Sequence, residues 1–314
     1  LFPYTTLFRS VVSTERMDRI LEVDAAGRRA VAEPGVITAD LSEAARPHGL
    51  RYLPDPASHE FSSIGGNVAT GAGGPHCLRH GVTPDHVRSL EVVLPDGEAV
   101  TLRRGEDGGL DLAGLFVGSE GTLGVVSRVE VRLVPRPPAV RTALALFDEL
   151  EDAGRAVSDI LTRVVPVALE LMDGPALEAV EDSPHAAGLP TDVAAALIVE
   201  TEGFEEEAEA DLLAAGEALT DAGAREILAA ADEGQRSRLW KARREAYHAL
   251  EPLAPDVLVQ DMTVPRSALP EVLPRVREIA AEKGLRVVNF FHAGDGNLHP
   301  NLLFDGSDPE ELER

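Results

Sequence analysis

The sequence predicts an α+β fold in two parts, and three observations carry that expectation. As far as Val134, short apolar runs are broken repeatedly by Gly and Pro, the texture of strands and turns. Residues 135–138 (PRPP) then interrupt the chain with prolines, which block a continuing strand and favour an extended connector. Beyond them, strand-like runs alternate with longer helical patterns, as in a domain built on an open sheet. A chain of 314 residues suits two domains with sizeable cores. The expected division is residues 11–136 and residues 137–314. The opening stretch 1–10 (LFPYTTLFRS) fits neither and reads as a non-native extension.

In the first part, residues 16–23 and 29–33 read as strands around the turn Ala26-Gly27, and Pro34-Gly35 ends the second. Residues 38–48 read as a helix with Leu41, Ala44 and Ala45 on one face, stopped by Gly49. Residues 87–94 and 98–102 flank Pro95-Asp96-Gly97 as a hairpin, and residues 125–134 alternate as a half-buried strand does. In the second part, helices are expected over residues 147–165, 205–222 and 269–283, with a strand over 192–200. No internal repeat or low-complexity tract interrupts this order.

The net charge of −25 argues against nucleic acid and anionic lipid as partners, since both demand clustered Lys and Arg. Cys77 is the single cysteine, so no internal disulfide can form and a reducing compartment is permitted. No run approaches the roughly 20 apolar residues of a membrane span.

Residues 62–74 (SSIGGNVATGAGG) concentrate Gly65, Gly66, Gly71, Gly73 and Gly74. Without Cβ atoms such backbone can approach a ligand closely and aim N–H groups at a pyrophosphate or flat ring, with Asn67 and Thr70 adding side-chain hydrogen bonds. A ligand-free turn is the equal alternative, and the spacing is neither a dinucleotide fingerprint nor a phosphate-binding P-loop. Residues 118–124 (GSEGTLG) form a second cluster, around Glu120 and before the apolar Val125-Val126. Two such stretches favour a large flat ligand more than either does alone.

Residues 286–293 (RVVNFFHA) and 298–304 (LHPNLLF) read as two strands joined by the turn formers Gly294, Asp295, Gly296 and Asn297. That hairpin sets His292 directly opposite His299, close enough to share a divalent metal, with Asn301 on the same face. A pair of ordinary core or surface histidines is the commoner case. No third ligand is evident nearby, and Asp295 can instead brace the turn.

Those residues also carry a resemblance. The stretches PDPASHEFSSIGGNVATGAGGPHCLRHG (54–81), FVGSEGTLGVVSRVEVRLVPRPP (116–138) and FFHAGDGNLHP (291–300), with LWKARREAY (239–247), resemble the FAD-linked oxidases of the vanillyl-alcohol oxidase (PCMH-type) superfamily. The similar branch holds the catalytic flavoprotein of glycolate oxidase and FAD-dependent D-lactate dehydrogenase. The resemblance implies a PCMH-type FAD-binding domain followed by an FAD-linked oxidase C-terminal cap domain with an α+β open sheet. It implies a flavin lined by Pro54, Asp55, Ser58, Gly65, Gly66, Asn67, Thr70 and Gly73, with Glu120, Gly121, Gly124, Val125 and Val126 completing the wall. It implies a divalent metal (Zn, Mn or Fe) on His292 and His299, a substrate-carboxylate role for Arg243, and Asn301 near the substrate. A solvated charge on a helix face is the alternative for Arg243.

The implied activity is oxidation of a small 2-hydroxy acid to the 2-oxo acid. Electrons would pass to an iron–sulfur subunit beside a second flavin subunit, in a cytoplasmic protein at most peripheral at the inner face of the membrane. The resembled family opens with a glycine-rich RGGGT-like segment and carries an SGEHGIG-like stretch after the histidine motif; neither occurs here. The expectation is therefore a fragment that by itself binds FAD poorly and does not turn over. A metal-dependent hydrolase and a non-catalytic flavoprotein subunit are the rival functions.

Overall fold

A computed structural model describes residues 12–105 and 109–313. The chain divides into two compact units at Arg136/Pro137, except that Cys77–Arg79 group with the second unit. The stretch 1–10 lies outside the described residues.

The first unit is built on a five-stranded antiparallel sheet of β1 (Ile20–Asp24), β2 (Arg29–Ala32), β4 (Val87–Val93), β5 (Ala99–Arg103) and β6 (Val125–Arg132), in the order β1-β2-β6-β4-β5. A separate two-stranded ladder joins β3 (Leu50–Arg51) to β7 (Val134–Pro135). Alternation along β2 and β6 puts Ala30, Ala32, Val129 and Val131 in a core with Leu41 and Ala45 of the helix Thr38–Ala45 and Ile64 and Val68 of the helix Ile64–Thr70. The first expected strand is shorter than its apolar pattern: residues 15–16 make a turn, 17–19 are irregular and β1 begins at Ile20.

The second unit continues with β8 (Ala139–Phe147), β9 (Ala168–Asp173), β10 (Ala195–Gly203), β11 (Glu226–Ala229), β12 (Asp256–Val259), β13 (Met262–Thr263), β14 (Arg286–His292), β15 (Asn297–Leu298) and β16 (Pro300–Phe304). They form a nine-stranded sheet in the order β11-β8-β10-β9-β14-β15-β13, with β16 beside β14 and β12 beside β16. Every pairing is antiparallel. The expected helix over 147–165 is corrected here: Phe147 closes β8, and the helix runs Leu150–Arg163.

Both faces of this sheet are covered. Leu171, Leu197, Val199 and Phe291 pack under the helices Leu150–Arg163, Glu205–Asp221 and Leu269–Glu282. Met172, Ile198, Val288 and Phe290 face the helices Gly174–Glu181 and Glu233–Glu245. Each fully buried aliphatic side chain contributes about 1.5–3 kcal/mol, and β8, β9 and β10 contribute on both sides.

Asp173 ends β9 and caps the helix that follows, accepting from Ala176 N–H at 3.0 Å and from Asn289 Nδ2 at 2.8 Å. Burial raises its carboxyl from 3.8 to about 6, against those hydrogen bonds. The native state therefore holds a proton that the unfolded chain has already released. This contribution is present below pH 3.8 and is lost as pH rises to about 6. Thermal unfolding from pH 4 to 7 should show a loss of about 2–3 kcal/mol from this group. Asp173→Asn keeps the cap and should flatten that slope; an unchanged slope would refute the assignment.

Candidate functional site

In the first unit the glycine-rich stretch is half helix rather than loop. Ser63 caps it through Gly66 N–H, Ile64–Thr70 are helical, and Gly71 ends it in the left-handed region at φ 66°. The carbonyls of Val68 and Ala69 then accept from Gly118 N–H at 2.8 Å and Glu120 N–H at 2.9 Å. The two glycine clusters are thus one structure. Asp55 adjoins them, because a Cβ on Gly74 would lie 2.5 Å from its carbonyl oxygen, and its carboxylate meets His76 Nδ1 at 2.6 Å.

Several of these residues work internally. A Cβ on Gly65 would lie 2.5 Å from Pro34 Cβ, and one on Gly124 would lie 2.8 Å from Val92 Cγ1, so both glycines admit protein backbone packing. Asn67 donates to Thr38 Oγ1 and Thr70 to Gly66 O. Gly118 and Gly121 instead border open space at positive φ, with Glu120 between them at φ 51° and Val125 exposed beyond.

In the second unit, one sheet face gathers the polar residues. His292 lies between two neighbours, paired with Glu170 on β9 and with Asn297 on β15. The expected register is corrected: the loop spans residues 293–296, so His299 sits diagonally from His292 rather than opposite it. The imidazoles still meet edge to face, with centroids 5.2 Å apart. Asn301 pairs with Val288 on the same face and donates through Nδ2 to Val288 O and His299 O. Asp295 braces the turn through Asn297 N–H.

The helix Glu233–Glu245 crosses this face with Arg236, Trp240 and Arg243 turned toward the sheet, a spacing that lines up one helical stripe. Arg236 and Trp240 bond to the buried Glu200, as does Thr142. Arg243, only 6% exposed, places Nη2 2.6 Å from Glu170 Oε2 and lies over the Phe290 ring. It is not a solvated charge. Sequence reasoning missed Glu170 and Asn297; the signal for Glu170 was an acidic residue inside the apolar run 165–172.

His292 Nδ1 lies 2.8 Å from Glu170 Oε1. Burial opposes charging of His292, but the charge and hydrogen bond of Glu170 outweigh it and raise the pKa. Burial, then the neighbouring His292, lowers that of His299. With His292 Nδ1 committed to a carboxylate, Nε2 is the nitrogen left for a ligand, the usual arrangement of a metal-binding histidine. The pair offers two imidazoles; among the described residues no group of three or more His, Cys, Asp or Glu side chains is arranged to hold a metal ion. Arg243 Nε, Asn297 Oδ1 and Asn301 Oδ1 are buried without hydrogen-bond partners, as groups awaiting a polar ligand would be.

These two units match known families. Residues 136–314 match the model described as FAD linked oxidases, C-terminal domain, and residues 8–103 that described as FAD binding domain. The chain belongs to the FAD-linked oxidases. Over 304 residues it is 45% identical to glycolate oxidase subunit GlcD of Escherichia coli (strain K12), covering 95% of this chain and 60% of that protein. It is 40% identical to GlcD of Bacillus subtilis (strain 168), covering 97% of this chain and 65% of that one. Against D-lactate dehydrogenase of Archaeoglobus fulgidus the identity is 35%, over 96% of this chain and 67% of the other. The chain thus spans about 60% of the length of the first relative. Among solved structures, p-cresol methylhydroxylase with substrate bound superposes with a TM-score of 0.77 at 15% identity, over 95% of this chain and 66% of that one. The 4-ethylphenol oxidase from Gulosibacter chungangensis gives 0.72 at 21%, over 95% and 67%. These two show the shared fold.

Proposed function

We propose that the full-length protein oxidises a small 2-hydroxy acid of the glycolate or D-lactate type to its 2-oxo acid. The observation that carries this reading is a buried guanidinium beside two imidazoles on one sheet face, with amide oxygens there lacking partners. A 2-hydroxy acid offers an anion and an adjacent hydroxyl. Arg243 binds the carboxylate, and its fork of donors orients the acid. Asn301 and Asn297 offer acceptors to the hydroxyl. Bound FAD supplies the hydride acceptor, and a divalent ion (Zn, Mn or Fe) on His292 and His299 supplies Lewis acidity toward the substrate oxygens.

The open glycine edge at Gly118 and Gly121, with Glu120 and Val125, forms part of the flavin wall, while Gly65 and Gly124 shape it by packing. Pro54, Asp55, Ser58, Gly66, Asn67, Thr70, Gly73 and Val126 belong to the same lining. Electrons then leave for an iron–sulfur subunit, with a second flavin subunit in the assembly. Relatives named as glycolate oxidase subunits support an assembly of more than one subunit. No helix among the described residues is long and apolar enough to cross a membrane.

The test is an absorption spectrum, metal analysis and dye-reduction panel on the full-length protein. A flavin spectrum, a bound divalent ion and dye reduction by 2-hydroxy acids, but not by the corresponding simple alcohols, are expected. A colourless, metal-loaded protein without dye reduction would overturn the reading.

A further inference from the structure

We infer that Glu170 is a positioning residue for this oxidation, orienting His292 and Arg243 together through one carboxylate. The inference rests on the reading above and names the residue that makes the two groups act as a pair. Glu170 is 0% exposed and occupies a core position on β9, flanked in sequence by the buried Leu169 and Leu171. A charge there is costly unless paired, and an apolar side chain would serve stability as well.

Its two oxygens are divided between partners: Oε1 meets His292 Nδ1 at 2.8 Å and Oε2 meets Arg243 Nη2 at 2.6 Å. The first contact fixes the imidazole tautomer so that the Nε2 lone pair is left for a ligand. The second is an ion pair that, with the Phe290 ring at 5.3 Å, confines the guanidinium and leaves Nε without a hydrogen-bond partner.

Glu200 on β10 provides the internal contrast. It is just as buried, but it binds Arg236 and Trp240, which hold the helix to the sheet, and Thr142 of the neighbouring strand β8. Glu170 holds the two groups assigned to the substrate. Both carboxylates tie the helix to the sheet; at β9 the partners are also the groups assigned to the substrate.

The experiment uses the full-length holoenzyme, with Glu170→Gln, Arg243→Met and the double variant. Readouts are kcat and KM for glycolate and D-lactate, flavin absorbance, metal per flavin and melting temperature. Glu170→Gln should lower kcat/KM and metal affinity by about 10- to 100-fold with flavin occupancy unchanged. In the double variant the KM should be no worse than with Arg243→Met alone, a non-additivity that general loosening would not produce.

A Glu170→Gln protein keeping kcat/KM within about twofold and full metal content overturns the inference, as do effects that simply multiply. If that variant fails to fold, Glu170→Asp retains the charge but retracts it, and must show the same loss. A wild-type protein inert toward every 2-hydroxy acid overturns the functional reading itself, an outcome distinct from an active parent with an indifferent variant.

Discussion

Replacing His292 by alanine in the full-length protein should lower kcat/KM for its preferred 2-hydroxy acid by about a thousandfold, roughly 4 kcal/mol of transition-state stabilisation. The ring touches both the buried Glu170 and His299, so its removal takes away one of two candidate metal ligands. It also leaves the Glu170 carboxylate without its imidazole partner. The flavin spectrum should persist, because the glycine edge belongs to the other unit. Steady-state kinetics with an artificial acceptor, beside metal analysis, provide the check. Undiminished activity in the assembled complex would assign the chemistry to another subunit and make this chain a non-catalytic flavoprotein.

Arg236→Met should produce the largest change in stability. Glu200, 1% exposed, receives both Nε and Nη2 of Arg236 at 2.8 Å. Burial disfavours the guanidinium's charge, but Glu200 outweighs it and raises the Arg236 pKa. Removing the cation leaves a buried carboxylate with neutral donors, a loss of about 3 kcal/mol or more. Melting should fall by about 6–12 °C. The paired change Arg236→Met/Glu200→Gln should recover part of it. A fall below about 1 °C would show that solvent compensates for the lost ion pair.

The sequence made the local elements legible and left long-range pairing hidden. The helix Thr38–Ala45, the hairpin of β4 and β5 and the helix Leu269–Glu282 follow period and turn chemistry, which are local. β9 escaped because it is buried on both faces, so its run does not alternate. β8 escaped for the same reason over most of its length, and its last residue was read as the start of a helix. The histidine register failed more instructively. Four turn formers invite a loop over residues 294–297, yet Asn297 is drawn into pairing with His292 and Thr263. Gly296 takes φ 75° where a Cβ would lie 2.2 Å from Val264 O, so β13 helps decide where the turn falls. Glu170 meets His292 across 122 residues of chain, beyond any spacing rule.

The helix Glu233–Glu245 is fastened to the sheet at both Arg236 and Arg243. Seven residues separate these anchors, about 10 Å along the axis. One anchor would let the helix pivot; two suppress both rolling and sliding. The guanidinium proposed to meet the substrate's carboxylate is therefore fixed when the chain folds, and an acid bound there would order little that was loose before. On that proposal, discrimination between acids of different bulk would come from the surroundings of this grip, since the grip itself cannot shift to accommodate them.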